Sequence, residues 1–259
     1  MSKILILKEK KEFIPELDKS LIVVKQRQYF VEDLNQDFHT NYGVIGKDEL
    51  KKKDGSIIKS SQGKEFILFS AGFTDKYKRI KRLPQTMPLK DIGLIIAETA
   101  INKDSIIVEA GVGSGALTAC LANICKQVYS YEINQQHLDA SKQNLEMLDL
   151  KNINIKNKDI YQGIDEKEVD VIVLDLAEPW QVINHAKTSL KIGGFFVSYS
   201  PSATQLQNFV NELNKQDNFI VIKSVELLER FWKVEGRIVR PKIMPIAHSG
   251  FITIARRIC

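Results

Sequence analysis

A glycine loop set between a β-branched run and an apolar helical pattern constrains this chain more than any other stretch. Ser105 to Gly115 reads Ser-Ile-Ile-Val-Glu-Ala-Gly-Val-Gly-Ser-Gly, and Ala116 to Ile124 continues at helical spacing. The expected local structure is strand, tight loop, helix. Glycine tolerates positive φ and close backbone approach, and the start of the following helix offers unpaired N–H groups, so the unit forms a mononucleotide-binding crevice. Its spacing, Gly111-x-Gly113-x-Gly115, differs from the G-x-G-x-x-G that cradles a dinucleotide pyrophosphate.

Three further units repeat the pattern. Gln127 to Tyr131 reads as a strand that ends at Glu132, Asn154 to Lys158 as one that ends at Asp159, and Val169 to Leu174 as one that ends at Asp175. Together with Glu109, carboxylates stand at the C-terminal edges of four successive strands, where open α/β sheets bind ligands. Glu132 lies about twenty residues after the loop and can hold both hydroxyls of a ribose. An acid just before a loop with no phosphate grip points to S-adenosylmethionine, whose sulfonium is cationic, over NAD.

Further on, helices are expected over Leu89 to Ala100, Gln181 to Leu190 and Ala203 to Asn214. A glycine stop is expected at Lys191 to Gly194, and strands over Phe195 to Tyr199, Phe219 to Leu228 and Ser249 to Ala255. The sum is an α/β fold, a seven-stranded doubly wound Rossmann-like sheet occupying residues 81–259. Residues 1–80 differ: short strand-like runs at Ile4 to Leu7, Ser20 to Val24 and Glu65 to Ser70 are punctuated by Asp54-Gly55 and Gln62-Gly63, as in a small β-rich domain of hairpins.

With 44% hydrophobic residues in 259, the chain can bury a substantial core. A net charge of +5 is a mild bias toward polyanions. The three cysteines, Cys120, Cys125 and Cys259, form no C-x-x-C pair and the four histidines are scattered, so neither a disulfide framework nor a metal site is expected. Met1 to Leu21 lacks a continuous apolar segment, so no signal peptide or membrane span is expected and a cytoplasmic address follows.

Two stretches carry the chemistry of an acceptor. Leu174-Asp175-Leu176-Ala177-Glu178-Pro179-Trp180 sits at the end of the fourth strand, where a stiff proline turn and the flat face of Trp180 can sandwich a nucleobase whose edge Asp175 meets. Lys76 to Arg82 interleaves Tyr77 with five cations, a pattern suited to a phosphate backbone.

Seven motifs in order give the chain a family likeness: His39-Thr40 with Gly43-Val44-Ile45; Pro84-Gln85 with Pro88 and Asp91; Glu109 through Leu117; Ser130-Tyr131-Glu132; Leu174 through Trp180; Tyr199, Pro201 and Gln205; and Ala247-His248 with Gly250-Phe251 ahead of Ala255-Arg256-Arg257. From about His39 to the C-terminus the chain resembles the tRNA (adenine-58-N1)-methyltransferase family of TrmI type. The resemblance implies that Gly111, Gly113, Ser114, Gly115, Ala116 and Leu117 line the methionine part of S-adenosylmethionine. It implies further that Glu132 holds the ribose, that Asp159 sits by the adenine, and that His137 and Gln85 also touch the donor. Asp175 matches the catalytic aspartate and also borders the donor, while Tyr199, Trp180, His248 and Arg82 fall to the tRNA side. A homotetramer with a β-rich N-terminal domain is implied as well. Many members have tyrosine where this chain has Met87.

Overall fold

The computed structural model describes residues 2–83, 86–243 and 248–259. Two compact units divide it, Met1–Arg79 and Ile80–Cys259.

In the first unit, short runs rich in apolar and β-branched residues fold as strands β1 (Lys3–Leu7), β2 (Lys10–Ile14), β3 (Lys19–Val24), β4 (Arg27–Val31), β5 (Phe38–Thr40), β6 (Gly43–Ile45), β7 (Ile57–Lys59) and β8 (Glu65–Ser70). Two short helices join them, α1 (Lys47–Leu50) and α2 (Phe73–Tyr77). Strands β4, β1, β8 and β7 pair antiparallel in that order. Leu5, Leu7, Val31, Phe66 and Leu68 form the core beneath them. The β7–β8 connection turns where expected: Gly63 adopts φ 74° and its N–H donates to Ser60 O at 2.8 Å, a conformation that glycine reaches at little cost.

The second unit runs α3 (Leu89–Glu98), β9 (Ile106–Ala110), α4 (Ala116–Ala122), β10 (Gln127–Tyr131), α5 (Gln135–Leu148), β11 (Ile153–Lys156), β12 (Val169–Leu174), α6 (Ile183–Ser189), β13 (Leu190–Ser200), α7 (Ala203–Leu213), β14 (Phe219–Glu226), β15 (Trp232–Glu235), β16 (Ile238–Pro241) and β17 (Phe251–Arg257). Single 3₁₀ turns stand at Ile160–Gln162 and Pro179–Val182. The expected seven-stranded sheet is present in the order β11-β10-β9-β12-β13-β17-β14, with β17 antiparallel to both of its neighbours. Central strands covered on both faces must be apolar throughout, and accordingly Val171 to Leu174 of β12 are at most 1% exposed.

From β9 the chain steps outward to β10 and β11, then returns to lay β12 against the other side of β9, pairing Leu174 with Ala110. This reversal opens a crevice beyond the carboxyl ends of β9 and β12, the place where doubly wound sheets take ligands.

Two local expectations are corrected. The glycine stop at Lys191 to Gly194 is a bulge inside β13: the register with β12 jumps from Val169–Leu190 to Val171–Phe195, and Gly193 takes φ 81°. Glycines there let the strand bend without ending. The β15–β16 hairpin, turning at Gly236 with φ 54°, lies beyond the strands expected for the sheet. Its alternation of Trp232 and Val234 with Lys233 and Glu235 was a readable signal.

Candidate active site

The glycine loop turns at the mouth of the crevice. Gly111 has φ 89°, and a β-carbon there would lie 2.1 Å from the carbonyl oxygen of Asp175, far inside van der Waals contact. Gly115, at φ 77°, caps α4 against Ser141 and Leu145 of α5. Thr86, Met87, Gly111, Gly113, Ser114, Ala116, Leu117 and Asp175 line a cleft of about 310 Å³ including its open mouth. Ser114 is 4% exposed and shares a 3.2 Å hydroxyl contact with Thr86, while Asn144 of α5 donates to Ser114 O at 2.8 Å and thereby ties the loop to the helix behind it.

Carboxylates surround this loop as the strand ends predict. Glu109 is buried, with hydroxyl hydrogen bonds from Thr118 and Ser130 reaching the same carboxyl oxygen. Glu132 accepts from Gly113 N at 3.1 Å and from Asn134 N at 2.8 Å. A carboxylate has about four lone-pair sites, so two remain. Asn134 caps α5 by accepting from the N–H groups of Gln136 and His137. That fixes the helix start and sets His137 Nδ1 3.7 Å from Glu132. Asp159 caps the Ile160–Gln162 turn, accepting from Tyr161 N at 2.9 Å.

Asp175 follows β12, and its N–H donates to Ala110 O at 2.9 Å. Burial, with the nearby Glu109 charge adding to it, pushes the Asp175 carboxyl up to about 7. Burial does the same to Glu109, also to about 7, against the opposing hydrogen bonds of Ser130 and Thr118. Among the described residues no lysine or arginine pairs with Glu109, Glu132 or Asp175. Unneutralised carboxylates beside a backbone cradle suit a ligand that brings its own positive charge and its own hydroxyls. S-adenosylmethionine fits both requirements.

The family model described as tRNA methyltransferase complex GCD14 subunit matches residues 80–254, the whole span in which this crevice is built. The chain belongs to that family.

Relatives of this family member agree with the assignment. It is 34% identical over 92% of its length, and 94% of the relative's, to the tRNA (adenine(57)-N(1)/adenine(58)-N(1))-methyltransferase TrmI of Methanocaldococcus jannaschii. Among solved structures, the SAM-dependent O-methyltransferase of Thermotoga maritima superposes with a TM-score of 0.80 at 28% identity, covering 99% of this chain and 93% of that one. The tRNA (m1A58) methyltransferase TrmI of Aquifex aeolicus superposes at 0.76 with 22% identity, over 99% and 97%, and shares the fold. The family member is an S-adenosylmethionine-dependent methyltransferase.

The outer residues named from the sequence take varied positions. Trp180 packs partly into the core, so only part of its ring is free to meet a base. Tyr199 is 4% exposed and donates to Asp91 at 3.3 Å, its phenol pushed up chiefly by burial. It is a buried polar ring, not an open stacking platform. His248 sits between Glu226 and the carbonyl of Pro201, and the Glu226 hydrogen bond raises its pKa. Arg82 is exposed, and Gln85 lies outside the described residues.

Sequence reasoning missed the polar network behind Tyr199. Lys90 donates to Asp91 and to Leu227 O, each at 2.8 Å, and also meets Ser249, which donates to Asp91 at 2.6 Å. Asp91 is fully buried. A lysine-aspartate dipeptide at a helix start reads in sequence as a solvated first turn, and the only hint was Asp91's place in a motif.

Proposed function

We propose that this chain is a tRNA methyltransferase that moves the methyl group of S-adenosylmethionine to N1 of an adenine in the T-loop, at position 58. Two facts support the reading: Asp175 meets Gly111 at the switch point of the sheet, and the archaeal relative, named for both positions, aligns over 92% of the chain.

When bound, the donor supplies an electrophilic methyl group on a positively charged sulfur. Everything else falls to the chain. Gly111, Gly113, Ser114, Ala116 and Leu117 hold the methionine portion, Glu132 takes the ribose hydroxyls with its remaining lone pairs and His137 borders it, and Asp159 stands by the donor adenine. Asp175, ionised beside a cation, accepts from the exocyclic N6 amine of the target base. That contact orients N1 for in-line attack and balances the charge that develops on the ring. Adenine N1 already carries a lone pair, so a strong base has no task. A base extruded from folded RNA must be gripped at its edge and faces. Asp175 serves the edge, the free part of Trp180 offers a face, Tyr199 backs the site from its buried contact with Asp91, and His248 and Arg82 lie on the tRNA side. Met87 gives the cleft a flexible apolar wall with no hydroxyl.

The reading includes a cytoplasmic address and a homotetramer, which light scattering on purified protein tests. Its chemistry is tested with labelled donor and unmodified tRNA transcript, followed by reverse-transcription arrest and nucleoside digestion. N1-methyladenosine at 58, or at 57 and 58, is the expected product. A ribose O-methyl product, or label transferred only to small metabolites, overturns the proposal.

A further inference from the structure

The peptide that joins Ala177 to Glu178, two residues past Asp175, is held at both of its polar ends by side chains from distant parts of the sheet. Gln205 Nε2 donates to Ala177 O at 2.9 Å. Glu178 N donates to the Tyr161 hydroxyl at 3.2 Å. Gln205 stands in the first turn of α7, after β13, while Tyr161 follows β11. In the sheet order these strands lie on opposite sides of β12, the strand that delivers Asp175.

Each clamp arm is itself anchored. Ser202 Oγ donates to Gln205 Oε1 at 3.1 Å and accepts from Gln205 N at 3.3 Å, so the amide presents its nitrogen, the only donor it has, to Ala177. His185 Nε2 donates to Tyr161 O at 2.9 Å and fixes the backbone that carries the phenol. Ala177 and Glu178 are exposed, so packing does not determine their conformation. The hydrogen bonds do.

We propose that Gln205 and Tyr161 are positioning residues for the methyl transfer, clamping the Ala177–Glu178 peptide plane so that Asp175 stands at a fixed height against the acceptor base. The loop is tied to β9 at Asp175 N, and a second tie two residues later removes the peptide rotation that would let the carboxylate drift. Gln205 closes the motif that begins at Tyr199, and neither the donor site nor the base site gives Gln205 itself a role. The reading rests on the proposed tRNA activity for its kinetic consequence, though not for its geometry.

The test uses the full chain with Gln205→Ala, Gln205→Glu, Tyr161→Phe and the Gln205→Ala/Tyr161→Phe double variant. Turnover on tRNA at saturating donor should fall about tenfold or more in each single variant, the scale of a misplaced reacting group, while the calorimetric donor affinity changes by less than about twofold. Gln205→Glu keeps the contact to Ser202 and the helix start yet points an oxygen at Ala177 O, so it should lose as much as Gln205→Ala. Because both arms hold one peptide, the double variant should fall little below the worse single variant. Amide exchange over residues 175–182 should quicken in every variant, whatever the assay for methylation returns. Unchanged exchange, a fully active Gln205→Glu, or losses that multiply in the double variant would overturn the clamp. If the wild-type chain methylates no tRNA while the exchange result holds, the activity reading fails and the clamp stands.

Discussion

The carbonyl oxygen of Asp175 occupies the space that a side chain on Gly111 would fill, 2.1 Å from the position of its β-carbon. Asp175 and the glycine loop are therefore one packed unit, joined chiefly through the backbone carbonyl of Asp175.

Substituting Gly111→Ala forces a residue with φ 89° into a region L-residues avoid and drives the Asp175 carbonyl away. Left-handed strain plus the clash predicts a loss of about 2–4 kcal/mol of stability and at least tenfold weaker donor binding. Thermal melts and calorimetry with S-adenosylmethionine measure both. Wild-type donor affinity in this variant would contradict the packed-unit view.

Replacing Asp175 by alanine leaves the loop and Glu132 in place, so donor binding should survive while turnover on tRNA drops on the order of 10² or more, the scale for one preorganised electrostatic contact. Steady-state kinetics beside donor titration separates the two effects. Unchanged turnover removes Asp175 from the chemistry.

Proton linkage gives a third outcome. The Asp175 carboxyl moves from an ordinary 3.8 up to about 7 and that of Glu109 from 4.5 up to about 7, in both cases mainly through burial. A raised carboxyl pKa means the folded protein holds the proton more tightly than the unfolded chain. The stability this contributes is full below about 4 and is lost as pH climbs through 7. Asp175→Asn should therefore be more stable than wild type at pH 8, by about 1–3 kcal/mol after allowance for partial exposure, with the gain vanishing near pH 4. A cationic donor favours the ionised carboxyls, so S-adenosylmethionine should bind more tightly at pH 8 than at pH 6. The demethylated product, neutral at sulfur, should show a smaller change. Denaturation curves and calorimetry at the two pH values check both signs.

Lys90→Met tests the buried network. Asp91 has no exposed surface, and losing its cation leaves a charge that Ser249 and Tyr199 cannot neutralise. Breaking a buried pair from one side costs about 3–5 kcal/mol, read as a lower melting temperature. Lys90→Met/Asp91→Leu, which removes both charges, should recover much of the loss.

Local chemistry in the sequence determined the glycine loop, the carboxylates at four strand ends and the seven-strand rhythm. Backbone conformation at glycine and side-chain periodicity are properties of a few consecutive residues. Tertiary structure alone decided which groups meet. Gly111 and Asp175 approach because β12 pairs with β9 in one register. Glu109 gains its hydrogen bonds from Thr118 and Ser130 on different elements, and Tyr199 turns inward because Asp91, 108 residues earlier, waits for its hydroxyl. Burial and long-range pairing set the charge state of these carboxyls and the freedom of these rings. Such quantities depend on neighbours distant in the chain, and a pattern of residue types names the element without naming its partner.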